Sequence, residues 1–161
     1  MNIIYHPIFL EHDTGNHPEN PGRLRSLGQL KTTEFPDYGE AYLTLIHTEN
    51  YIRSAKEISS RGGKLDADTY VSLKSYAAAV SAVGATIYAA ETNGFAVVRP
   101  PGHHAYPDHS GGFCIFNNIA IAVKKLVGEG KRVMIIDIDS HLGDGTEKIF
   151  YASREVLYCS I

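Results

Sequence analysis

Asp137, Asp139 and His141 stand at every second position where an apolar run, Ile135-Ile136, gives way to Leu142-Gly143-Asp144-Gly145. On a strand, that alternation places all three side chains on one side. Two carboxylates and an imidazole gathered there repel one another and lose water unless a cation sits among them. Carboxylate and imidazole donors together suit Zn²⁺. The glycines that follow let the backbone turn sharply at the strand end, where open α/β sheets place their ligands. The plainer alternative is a strand-to-helix turn with two capping aspartates and a stray histidine.

A second group, Arg99-Pro100-Pro101-Gly102-His103-His104-Ala105, follows the apolar run Phe95-Ala96-Val97-Val98. Two adjacent imidazoles resist carrying two protons, because like charges push their pKa values apart. One can stay neutral and accept a proton while a carboxylate holds the other charged, a division suited to general-base and general-acid or electrostatic work. Against this stands a metal-free turn with surface histidines. Gly111-Gly112-Phe113 forms a third group. Its glycines let Phe113 project into a cleft and line it, or Phe113 and Phe116 fill the core, the commoner fate of aromatic residues. Asn118 also reads as a helix cap.

The elements that must position these groups follow from punctuation and period. Residues 2–5 read as a first strand stopped by Pro7, and 11–20 as a loop. Pro21 suits the first turn of a helix in which Leu24, Leu27 and Leu30 recur at helical spacing. Residues 41–46 read as a second strand, and Thr48 as the cap of a helix over 49–59 that ends at Gly62-Gly63. A loop with Asp66 and Asp68 precedes an alanine-rich helix over 76–91. Residues 95–98 and 133–136 read as strands buried on both faces, 118–127 as an amphipathic helix, 146–151 as a short helix and 156–161 as a last strand. Strands alternating with helices predict a layered α/β fold with a parallel sheet.

Composition narrows the classes. The 161 residues suit one domain with a real core, 43% are hydrophobic and 20% charged, and the chain reads as globular. A net charge of −3 gives no electrostatic case for nucleic acid or an anionic membrane. The two cysteines, Cys114 and Cys159, lack zinc-finger spacing and fit a reducing compartment. No signal peptide or membrane-length apolar stretch is evident, so a cytoplasmic protein is expected. The sequence stops inside an apolar run at Cys159-Ser160-Ile161, which would leave a sheet edge to cover; the expectation is a fragment of a larger domain rather than a natural edge strand.

Six segments, in order, make a specific resemblance: His17 to Leu24, Ile46 to Tyr51, Leu65 to Ser72, Arg99 to Ala105, Gly112 to Asn118 and Asp137 to Gly145. Together they span nearly the whole chain, which resembles the N-terminal part of a zinc-dependent histone deacetylase-like protein. The Phe113 to Asn118 form is similar to class II deacetylases and to acetylpolyamine and acetoin-utilisation relatives. The resemblance implies an arginase/deacetylase-like three-layer fold, a parallel β-sheet with helices on both faces, here truncated, with residues 1–161 as the N-terminal portion of a single domain. It implies that Asp139 and His141 bind zinc, that His103 and His104 form the active-site pair, and that Asp137 orients His103 and Asp144 orients His104. Phe113, with Gly112, would line an acyl-lysine tunnel, and Asp137 and Ser160 would belong to a structural potassium site. The substrate would be an acetylated lysine or an acetylated small amine.

The chain departs from that pattern in one important way. A catalytic zinc takes three protein ligands and an open position, and only two are found. The third, an aspartate, and an oxyanion-donating tyrosine belong to the C-terminal half of full-length family members. Leu142 stands where a second histidine is usual, and Tyr106 is a smaller departure on the loop rim. Asp108 and His109 are too loosely placed to be good substitute ligands. A weakly active or inactive deacetylase completed by a missing half is therefore expected. The alternatives are a non-catalytic module that oligomerises through an open sheet edge and a binuclear manganese ureohydrolase. The His103-His104 pair argues against the latter.

Overall fold

Two pairs of parallel strands carry the sheet in the computed structural model, which describes residues 2–161. β1 (Asn2–Ile4) pairs with β4 (Gly94–Ala96), Ile3 opposite Phe95. β5 (Val133–Asp137) pairs with β6 (Val156–Ser160), Ile135 opposite Tyr158 and Asp137 opposite Ser160. Parallel neighbours require crossovers. The strands are joined through α4 (Ser75–Thr92), α5 (Asn118–Gly128) and α6 (Asp144–Phe150). Three earlier helices, α1 (Gly22–Arg25), α2 (Gly39–Tyr42) and α3 (Glu49–Ser59), and a small antiparallel ladder of β2 (Gly63–Lys64) with β3 (Tyr70–Val71) complete the order. The α/β architecture read from the sequence is the one found.

α4 is the central element, and its alanines explain why. Small side chains allow close packing on every side, and Ala78, Ala79, Ala82, Val83 and Ala85 are fully buried. Ala82, Ala85 and Ala89 face Ile4, Tyr5 and Phe9, whereas Ala79, Val83 and Ile87 face Ile115, Phe116 and Ile121. The helix ends at Asn93, whose left-handed backbone (φ 52°) turns the chain into β4. Thr48 caps α3 by accepting from the Tyr51 amide, as the sequence predicts. Asn117 caps α5 by accepting from the Ala120 amide. A third apolar cluster joins Ala120 and Val123 of α5 to Ile135, Val156 and Phe150.

Several local expectations are corrected. Residues 41–46 are helical, the end of α2 followed by a 3₁₀ turn over Leu43–Leu45, because Leu43 packs against the α4 cluster instead of pairing with a strand. The helix opened by Pro21 stops after one turn: Leu24 is buried, Leu27 is exposed, and the chain turns at Gly28 (φ 83°). β4 and β5 are not buried on both faces. Ile3, Phe95, Met134, Ile136 and Leu157 are each 52–59% exposed, while Ile4 and Ile135 of the same strand pairs are buried. β5 ends at Asp137, so Asp139 and His141 lie beyond the strand. No helix among the described residues is long and apolar enough to cross a membrane.

Candidate active site

The carboxyl ends of β4 and β5 bring the two sequence groups together, the place where parallel α/β sheets bind ligands. His103 Nδ1 lies 2.9 Å from Asp137 Oδ2, and His104 Nδ1 lies 2.6 Å from Asp144 Oδ1. The two imidazoles are neighbours, with ring centroids 4.1 Å apart. Burial by itself pushes the Asp137 carboxyl up, but hydrogen bonds from His103, the Asp139 amide and Tyr158 outweigh it and hold the pKa below the ordinary value. Asp144 follows the same balance, burial opposed by bonds from His104, the Gly145 amide and Tyr106. Both carboxylates are therefore acceptors only, so each histidine donates through Nδ1 and keeps Nε2 for a proton.

The histidine loop is held from behind. Asn117 Nδ2 donates to the Ala105 carbonyl and to Thr146 Oγ1, each at 3.1 Å, while the Thr146 amide donates to the His103 carbonyl at 3.0 Å. Asn118 Nδ2 donates to the Pro100 carbonyl at 3.1 Å. Gly112 must be glycine twice over. Its φ is +49°, and a Cβ there would lie 2.7 Å from His104 Cγ. Phe113 also adopts a left-handed backbone (φ 70°), and its ring meets the His17 ring edge-on with centroids 4.6 Å apart. Phe113 is half-buried against His17, whereas Phe116 fills the core.

Asp139 and His141 adjoin each other on a turn. The Asp139 amide donates to Asp137 Oδ1 at 3.1 Å and the His141 amide to Asp139 Oδ1 at 2.9 Å, two short-range side-chain turns that bend the chain off the strand. The bond from the His141 amide is the largest cause holding the Asp139 pKa below its ordinary value. His141 Nδ1 is 3.0 Å from Asp139 Oδ1. Carboxylate oxygen and imidazole nitrogen are donors of the kinds zinc takes, and here the two meet at ordinary hydrogen-bond distance. Both side chains are solvent-exposed, and the His141 ring centroid is 6.1 Å from that of His104. Among the described residues no group of three or more His, Cys, Asp or Glu side chains is placed to hold a metal. Asp108 and His109 turn to each other, Oδ1 to Nδ1 at 2.7 Å, with His109 stacked on Tyr106. Ser160 faces Asp137 across the β5–β6 ladder, where the Ile161 amide donates to the Asp137 carbonyl at 3.1 Å.

Sequence reasoning did not foresee the contacts of several residues that shape the site, and it passed over Tyr158 altogether. Tyr158 of β6 donates to Asp137 Oδ2 at 2.9 Å and accepts from the Gly143 amide at 3.0 Å. Burial, then the bond to Asp137, raises its pKa to about 12, so it remains a donor. Its signal was a tyrosine in an apolar strand, whose hydroxyl needs a partner. Tyr106 Oη lies 3.3 Å from Asp144 Oδ2. Arg99 and Glu19 form a buried bidentate pair, Nε–Oε1 and Nη2–Oε2 both 2.6 Å, and Arg99 also donates to the Phe9 and His12 carbonyls. A guanidinium buried to 2% exposure demands such a partner.

Parallel strands on a helical layer, with an imidazole pair and an acid–imidazole pair at the strand ends, define an α/β protein of the arginase/deacetylase type. Residues 17–161 match the histone deacetylase domain family, and the chain belongs to it. It is 37% identical to a probable deacetylase of Archaeoglobus fulgidus, over 98% of this chain and 50% of that protein. It is 36% identical to a probable deacetylase of Methanothermobacter thermautotrophicus, over 100% of this chain and 54% of that protein. The crystal structure of the HDA15 HD domain superposes with a TM-score of 0.89 at 32% identity, covering 99% of this chain and 52% of that one. The chain thus spans about half the length of these relatives.

Proposed function

We propose that this chain carries the first part of a zinc-dependent deacetylase site that hydrolyses the amide of an acetylated lysine or an acetylated small amine. The observation that carries the reading is the pair of His–Asp contacts, His103–Asp137 and His104–Asp144, with Asp139 and His141 adjoining on the turn beside them. Asp139 and His141 would hold the zinc, with a third ligand from outside this chain. Bound zinc supplies a Lewis acid that polarises an amide carbonyl and acidifies a water. His104, its Nδ1 proton fixed on Asp144, presents Nε2 as the base for that water. The ionised Asp137 would stabilise positive charge on the His103 ring, and His103 would join His104 in returning to the leaving amine the proton taken from water. Phe113 and Gly112 would wall the acyl channel, and Asp137 with Ser160 would border a structural potassium ion. Acetate and a free amine are the products.

Zinc titration followed by mass spectrometry, beside hydrolysis of an acetyl-lysine peptide, tests this. The 161-residue chain should bind zinc weakly and turn over slowly, since the lack of an oxyanion donor alone costs about 10²–10³ in rate. Completion of the domain should restore both. Tight zinc binding with robust turnover by this chain alone would refute the two-ligand reading. A second reading, a non-catalytic module, is favoured by the exposed apolar row Phe95, Met134 and Ile136. It predicts a stable oligomer by light scattering and no hydrolysis even in the completed domain.

A further inference from the structure

We infer that His47 is a positioning residue for the His103–His104 pair, holding the backbone that carries the two rings through Asn117 and Thr146. The residue is 2% exposed and lies between the start of α3 and the start of α5. Its ring packs on those of Tyr51 and Phe116, with centroids 5.5 and 5.2 Å away. Nε2 faces the Asn117 amide at 2.9 Å and accepts its proton. That bond fixes the tautomer: a ring nitrogen that accepts carries no hydrogen, so the hydrogen of the neutral ring sits on Nδ1. Burial favours the neutral form and lowers the pKa to about 4, against the opposing pull of the Tyr106 and Pro107 carbonyls. None of the proton transfers proposed above uses this imidazole.

The amide that His47 accepts from belongs to the residue where the ties to the histidine loop meet. Asn117 is fully buried, so its amide needs an acceptor from the protein. Its side-chain Nδ2 donates to the Ala105 carbonyl and to Thr146 Oγ1, each at 3.1 Å. Thr146 passes the hold on, its amide donating to the His103 carbonyl at 3.0 Å. Ala105 closes the turn around both histidines, its amide donating to the Gly102 carbonyl at 3.0 Å. Thr48, next to His47, adds a direct tie through its amide to the Pro107 carbonyl at 2.9 Å. A leucine at 47 would fill similar space but present no acceptor, and the freed Asn117 amide would shift to find one. A glutamine reaches about as far as the imidazole and keeps an acceptor in place of Nε2. The inference rests on the reading of His103 and His104 as the proton-handling pair, but neither on zinc nor on completed turnover.

The test uses the ¹⁵N-labelled 161-residue chain at neutral pH. In the parent, His47 should show an unprotonated Nε2 with a scalar coupling to the Asn117 amide across the hydrogen bond. His47→Leu should speed hydrogen exchange at the Thr146 amide by about tenfold or more relative to Val83 of α4, and should move the His103 and His104 ring signals. His47→Gln should restore both. Leu24→Ala, in a separate apolar cluster, lowers stability away from the loop and should leave the Thr146-to-Val83 ratio at the parent value. The inference is overturned if Nε2 of His47 carries the hydrogen, if His47→Leu leaves the ratio and the ring signals unmoved, or if His47→Gln rescues neither. It is equally overturned if Leu24→Ala raises the ratio as much, since loss of stability alone would then explain the effect. Should the leucine variant fail to fold, the parent tautomer and His47→Gln still decide. Hydrolysis of an acetyl-lysine peptide is scored separately; its absence counts against the proposed activity alone, so the two failures are told apart.

Discussion

Glu19→Gln tests how the histidine loop is anchored. Arg99 sits four residues before His103, is 3% exposed at its side chain, and faces Glu19 at 1% exposure with both oxygens engaged at 2.6 Å. The substitution keeps volume and one acceptor but removes the charge, leaving a guanidinium buried without its counterion. Breaking a buried pair from one side costs about 3–5 kcal/mol. The two donations to the Phe9 and His12 carbonyls remain, so the lower half of that range is expected. At about 2–4 °C per kcal/mol for a chain of this size, Tm should fall by about 6–16 °C. Calorimetry and urea unfolding measure the loss. A double-mutant cycle with Arg99→Met isolates the coupling, and the double variant should be less destabilised than Glu19→Gln alone, because no orphan charge is left. A loss below about 1 kcal/mol would mean the pair behaves as a solvated surface contact, and the account of the anchored loop would fail.

The other predictions concern the site and its titration. His12 and His47 have burial-lowered pKa values of about 4, each down from 6.5, so the unfolded chain binds more protons than the folded one between those limits. Stability should therefore fall as pH drops from about 6.5 toward 4, by about 1.4 kcal/mol per pH unit for each histidine at most, and level off for these groups below that; urea midpoints across the range check it. Asp137 and Asp144 act further down, since their depressed pKa values stabilise the fold above the ordinary carboxylate range and are lost as acid protonates them. Gly112→Ala should cost about 2–4 kcal/mol, from a left-handed backbone and a Cβ pressed on His104, read by thermal melts and by displaced His104 ring resonances. Asp144→Asn should leave the fold intact but release the His104 Nδ1 tautomer, visible in ¹⁵N imidazole shifts; an unchanged Nδ1–H population would refute the assignment.

Legibility from sequence followed the range of the forces involved. α3 was readable to the residue because Thr48 and the glycines after Ser59 act locally. α4 and α5 were readable because their periods repeat over several turns, and the parallel α/β class followed from alternation. The six segments located the histidines and the aspartates, but not the turn beyond Asp137. Alternation could not foresee that each aspartate would accept an amide two residues on and bend the chain away. Residues 41–46 misled because an apolar run of that length serves a strand or a buried helix equally well. The exposure of Phe95, Met134 and Ile136 contradicts what their hydrophobicity says in isolation, since burial depends on which element lies over them. Arg99 with Glu19, and Tyr158 with Asp137, are contacts across 80 and 21 positions, a separation at which local pattern carries no information.

Tyr158 ties β6 to the histidine loop. Its hydroxyl and the His103 ring share one oxygen of Asp137, while the Gly143 amide grips the same hydroxyl from the loop that leads out of His141. A slip of β6 along its own axis would drag that oxygen and loosen the loop in one movement. The register of β6 on β5 and the position of the Asp137 oxygen beside His103 are thus fixed by one phenol.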